Sequence, residues 1–246
     1  MEVHAHSHTA RKKWTHYFWE FLMLFLAVFC GFLAEYQLEH KIEKDREKQF
    51  IQSLHADLRD DINKLEQMIS HEKQGIVQLD TLMILLNDPE RARQNGDPLY
   101  FFARVGPRSQ PFSNNSRTFD QLKFSGGFRL IRNPVSSNKI MEYYNQLSLI
   151  RLLEDNYNHE FDNFKKAGAR ILDPLILRRQ EGDNGTIRIS DDNPPLLTYE
   201  SGFLKELAFH TLQMNGSRRS KLLLLETMKK SGEDLVLFLQ NKYHLK

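Results

Sequence analysis

The chain has 246 residues, 34 Lys+Arg against 32 Asp+Glu, 10 His, a single Cys and a mean hydropathy of −0.55. With 27% charged and 11% aromatic residues it is neither a disordered chain, a collagen-like repeat nor a disulfide scaffold, and a polytopic transporter would be far more apolar. The length suits one domain with an appendage.

Residues 1–13 form a His-rich tail closed by Arg11, Lys12 and Lys13. His4, His6 and His8 alternate, and neutral imidazoles at that spacing on an extended segment can converge on zinc, copper or nickel. No Cys or suitably placed carboxylate completes such a site, so the competing reading is a plain polar tail. No cofactor is expected.

Residues 14–34 carry one charge, Glu20, and include the uncharged run FLMLFLAVFCGFLA. As a helix they would span about 32 Å, which matches a hydrocarbon core of roughly 30 Å. Trp14, Tyr17 and Trp19 stand at the N-terminal edge, where amphipathic rings favour the headgroup layer. Glu20 reads as a boundary residue rather than an intramembrane functional acid. A cleaved signal peptide fits less well than a retained signal-anchor: Phe32 would stand at −3 of a cut after Ala34, and Phe29 at −1 of a cut before Cys30. Cys30 is then an apolar filler.

The Arg11–Lys13 cluster predicts a cytoplasmic N-terminus, with residues 51–246 as an extracytoplasmic helical domain. Lys41, Lys44, Arg46 and Lys48 beyond the span weigh the other way, but long domains translocate largely regardless of charge. The lack of Cys after residue 30 is compatible with an oxidising compartment. The expected location is the inner membrane, with the lipid bilayer as one partner.

Residues 35–50 interleave both charge signs with little apolar surface and read as a solvated helical stalk. From Ile51 to Leu86 apolar residues recur in steps of three and four, through Leu54, Leu58, Ile62, Leu65, Ile69, Ile76, Leu79 and Met83. This pattern predicts an amphipathic helix with a coiled-coil-like seam. Asp88-Pro89 ends it, and 87–116 reads as an irregular connection.

A short helix is expected over Arg117–Phe124, capped by Asn114, Asn115 or Ser116 and stopped by Gly126 or Gly127. Asn133-Pro134 opens a second helix from about Val135 to about Arg179, with Pro174 as a kink or new start. After a polar loop containing a small extended piece at Thr186–Ile189, two more helices are expected at about Tyr199–Met214 and Ser217–Tyr243, split by Asn215-Gly216. The fold class is all-α: a transmembrane helix, a long amphipathic helix and an antiparallel helical bundle.

Two stretches carry a resemblance. Glu43, Arg46, Glu47, Lys48, Leu54, Asp57 and Leu58 form one, and Thr118, Leu122, Ser125, Gly126, Leu130, Ile131 and Asn133 the other. Together they resemble single-span bacterial membrane proteins of the Bacteroidetes type, with an N-terminal anchor and two long helices. The resemblance implies location and fold and brings no activity with it.

In the second stretch, Phe119, Leu122, Phe124, Phe128, Leu130 and Ile131 are expected to be buried in a corner between helices. Arg117, Lys123, Arg129 and Arg132 surround it and could grip a phosphate, a carboxylate or lipid headgroups. Ion pairs with neighbouring acids are the structural alternative.

The sequence carries no G-x-S-x-G, no Gly-rich phosphate loop and no C-x-x-C. His159-Glu160 begins a zincin motif, but Asn163 takes the second ligand position. Glu181, Asp183, Asp191 and Asp192 lack a calcium-loop pattern. His55, His71 and His210 are isolated within helices. The +2 net charge belongs to residues 1–13, so the remainder offers no basic stripe and nucleic acid is not an expected partner. These observations predict a non-enzymatic scaffolding or assembly protein, as a homo-oligomer or with another envelope membrane protein. The alternative is an anion-sensing periplasmic ectodomain.

Overall fold

Residues 14–189 and 192–245 are described by a computed structural model. The tail residues His4, His6, His8, Arg11, Lys12 and Lys13, and Asp191 of the acidic loop, lie outside the described residues. Chain contacts divide the molecule into two units at Phe50/Ile51.

In the first unit every described residue is helical, within α1 (Trp14–Leu86). Phe21, Phe25 and Phe29 stack at centroid separations of 6.3 and 5.9 Å, and no part of the apolar window is buried by protein. One helix is thus long and apolar enough to cross a membrane. Trp14, Tyr17 and Trp19 are exposed at its start, and Glu20 lies 3.2 Å from His16 one turn back. Residues 35–46 are helical and exposed.

The second unit begins with the remainder of α1. Ile51, Leu54, Leu58, Leu65, Leu79 and Leu86 are all buried. The seam is therefore covered by the chain's own helices, each such Leu contributing roughly 1.5–3 kcal/mol. The irregular connection expected over 87–116 is confined mainly to 106–116, because 89–105 are largely helical. They contain α2 (Pro89–Gln94) and α3 (Gly96–Val105). Pro89 and Pro98 fall in first turns, where a missing N–H breaks no helical bond, and Asp88 caps α2 by accepting from the Glu90 N–H at 3.0 Å.

Next come α4 (Arg117–Phe124), a 3-10 turn over Gly127–Leu130 and α5 (Pro134–Gly168). Gly126 takes φ +68°, the left-handed stop, and the Asn133 side chain caps α5 through the Ser136 N–H at 3.0 Å. Helix α5 ends earlier than expected. Asp173-Pro174 opens a separate α6 (Pro174–Arg179), with Asp173 accepting from the Leu175 N–H at 2.8 Å. The extended piece amounts to one antiparallel bridge, Glu181 to Ile187.

The expected break at Asn215-Gly216 does not occur, because α7 (Ser201–Tyr243) runs straight through it. Buried Asn215 donates its side-chain amide to Asp80 at 2.6 Å, which fixes a turn-forming residue inside a helix.

Pairings fix the topology. Glu66, Lys73 and Asp80 meet Lys229, Glu226 and Arg219, so α7 runs antiparallel to this part of α1. Gln146 and Arg170 meet Ser231 and Glu206, so α7 is also antiparallel to α5. Helix α1 and helix α5 are therefore parallel. Their connection must return the length of α1, and it does so as residues 106–118 descend past Glu72, Asp61 and Asp57. At the far end α2, α3, α6 and 193–199 close the bundle, with Tyr100 bonded to Pro195 and Asp173, and Gln180 to Asp97.

Candidate functional site

The descending connection explains why acids interrupt the apolar face of α1. Asp57 accepts from the Thr118 N–H at 3.1 Å, from the Thr118 hydroxyl at 2.6 Å and from Arg117 at 3.1 Å. It supplies from another helix the cap that Asn114, Asn115 or Ser116 was expected to give α4; the Ser116 hydroxyl turns to Asp120 instead. The two stretches carrying the resemblance thus meet at Asp57 and Thr118. Asp61, one turn on, accepts from the Asn115 N–H at 2.5 Å and from the Tyr143 hydroxyl at 3.2 Å. Burial pushes its carboxyl up to about 6, against the opposing pull of those bonds. Burial, reinforced by Asp61, also raises the Tyr143 hydroxyl.

A second polar centre lies nearer the middle of the bundle. Glu72, fully buried, meets Arg218 at 3.3 Å and Lys221 at 3.2 Å. Lys221 also reaches Glu154 at 2.8 Å and the Gln110 carbonyl at 2.8 Å. Arg218, 1% exposed, donates to the Tyr157 hydroxyl at 3.0 Å and to the Arg108 carbonyl. Burial lifts the Tyr157 hydroxyl to about 12, with Arg218 opposing. Two carboxylates thus meet two cations, and the group ties α1, α5, α7 and residues 107–112 together. A charge-balanced, hydrogen-bonded group of this kind fixes the geometry of the bundle.

The four cations of the Arg-rich corner, Arg117, Lys123, Arg129 and Arg132, differ in their surroundings. Arg117 is committed to Asp57 and to the Asn115 side chain, and Lys123 lies 5.9 Å from its neighbour Phe124. Arg129 and Arg132 are exposed. Among the six apolar corner residues, Leu122 and Ile131 are buried, Phe119, Phe128 and Leu130 partly so, and Phe124 is 81% exposed. Phe119 stacks on Tyr144 at 4.1 Å and leaves Phe124 on the outer side of α4.

His55 is buried, and burial together with Arg59 holds its imidazole below the usual value. Among the described residues no three His, Cys, Asp or Glu side chains gather to hold a metal.

What the bundle does offer is a cavity of about 600 Å³ between α3, α5 and α6. Phe161, Phe164, Leu172 and Leu177 give it an apolar wall, while Arg104, Arg108, Lys165 and Arg178 stand against one acid, Glu181. Glu181 is bound by Arg104 at 2.5 Å and by Arg178 at 3.5 Å, and Arg104 and then Arg178 hold its carboxyl below the usual range. Arg104 also donates to the Leu177 carbonyl, tying α3 to α6. A smaller cavity of about 270 Å³ between α5 and α7 is lined by polar groups such as Lys139, Glu142 and Asp234. Phe161 and Phe164 lie on α5, but the rim cations could not be read from spacing, because Arg104, Arg108, Lys165 and Arg178 come together only after folding.

No family model, curated protein or solved structure matches the chain.

Proposed function

We propose that the protein is a single-pass inner-membrane protein, N-terminus in the cytoplasm, whose helical domain is a non-enzymatic binding module for a small anionic ligand. The observation that carries the ligand reading is the roughly 600 Å³ cavity, whose apolar wall and surplus of cations are what small-molecule sites combine. The anchor reading rests on the exposed apolar part of α1 and on Arg11–Lys13 before it. The test is a thermal-shift screen of the full chain in lipid nanodiscs against soluble anions, repeated with Ala169→Trp to fill the cavity mouth. Hits that vanish in the variant support the module; hits that survive, or none, overturn it. Alkaline phosphatase fused after Lys246 should be active, and an inactive fusion reverses the orientation.

Assembly with a second copy is the other reading, and it needs a new surface because the heptad seam is buried within the chain. One observation favours it: Val77, Ile84, Leu212 and Leu223 are exposed around the Asp80–Arg219 bridge between α1 and α7. Crosslinking of the full chain in nanodiscs that is lost in Val77→Asp/Leu223→Asp supports that reading; a monomer throughout removes it.

A further inference from the structure

We infer that the cavity between α3, α5 and α6 binds a monoanionic single-chain amphiphile, a long-chain carboxylate, and this rests on the binding-module reading above. Charge around the rim sets the head. Glu181 is already held by Arg104 and Arg178, and Lys165 lies 2.6 Å from Asp162. Arg108 has no side-chain partner among the described residues, yet its backbone is fixed through the carbonyl bond to buried Arg218. With Glu181 and Asp162 set against Arg104, Arg108, Lys165 and Arg178, the rim keeps a surplus of about two positive charges, and Arg108 is the cation that no acid meets. A single carboxylate supplies the acid that Arg108 lacks, and Arg108 can take it in a two-point bond.

The wall sets the body. Phe161, Phe164, Leu172 and Leu177 face a volume much larger than a headgroup needs, and a bare anion would leave them wet. Each methylene buried there adds about fourfold in affinity until the cavity is full. Specificity is then shared, the chain length read by α5 and the head by Arg108 with Arg178.

The test is photocrosslinking of the full chain in nanodiscs with a diazirine-bearing palmitate, followed by peptide mapping and competition. The label should fall within residues 103–108 or 161–181. Palmitate should compete at least about tenfold better than hexadecanol, because a charge-assisted bond is lost with the alcohol, and octanoate should compete far more weakly than palmitate. Arg108→Gln, a change at an exposed side chain that leaves the bundle core intact, should erase the preference for palmitate over hexadecanol. Equal competition by hexadecanol overturns the anionic head, equal competition by octanoate overturns the long chain, and absence of label from both 103–108 and 161–181 overturns the site. None of these results decides the soluble-anion screen, so failure here is distinct from failure of the binding module.

Discussion

Gly75 of α1 faces Arg218 of α7 so closely that a Cβ at position 75 would overlap the guanidinium. Arg218 cannot move aside without leaving Glu72, Tyr157 and the Arg108 carbonyl. Gly75→Ala gains the roughly 1 kcal/mol of better helix propensity but disturbs a buried pair, and a net loss of about 1–3 kcal/mol is expected. Gly216 is the control. It lies inside α7 with open space at its Cβ, so Gly216→Ala should stabilise by up to about 1 kcal/mol. Chemical denaturation of both variants checks the pair, and equal signs would contradict the argument.

Glu72 is the acid shared by both buried cations. Glu72→Ala leaves Arg218 and part of the Lys221 charge unpaired, at about 3–5 kcal/mol, whereas Glu72→Leu/Arg218→Met removes both partners and should cost less than the single change. A double variant as unstable as the sum of the singles would mean that the two groups act independently.

The all-α class, α4, its Gly126 stop and the Asn133-Pro134 start were legible because each is written in neighbouring residues. The apolar rhythm of Ile51–Leu86 located the buried face but not what covers it. An intrachain bundle and an intermolecular coil need the same spacing, and only the return of 106–118 along α1 decides between them. That return also requires Asp57, Asp61 and Glu72 to face inward, where local pattern reads an acid as solvated. Gly75 interrupts the apolar helix with no local reason, and its cause lies in Arg218, far along the chain. Pro89, Pro98 and Asn215-Gly216 misled in opposite directions: the prolines start helices, and the Asn-Gly pair sits inside one.

The corner should be held by Asp57 far more than by Arg117. Asp57→Ala removes the acceptor of the Thr118 N–H and hydroxyl in a buried site, so a loss of about 2–4 kcal/mol is expected. Arg117→Ala, at a side chain 83% exposed, should cost less than about 1 kcal/mol. Hydrogen exchange should show the α4 amides opening in the first variant and protected in the second. Equal protection in both would remove Asp57 as the cap.

Asp61 makes the pH dependence of the fold readable. Its carboxyl titrates at about 6 in the folded chain against 3.8 ordinarily, because burial penalises the charge more than Asn115 and Tyr143 reward it. The folded state therefore holds a proton more tightly than the unfolded chain. The stability linked to that proton is full below about pH 4 and is lost as pH rises through 6, about 3 kcal/mol in all. Asp61→Asn keeps an acceptor for the Asn115 N–H without the charge. Relative to wild type, the variant should gain stability from about pH 4.5 to about 6 and level off above that, where the folded-state carboxyl has lost its proton. Denaturation across that range measures the difference directly. A stability gap that stays flat with pH would mean that Asp61 remains ionised in the folded bundle, its charge carried by the Asn115 N–H and the Tyr143 hydroxyl.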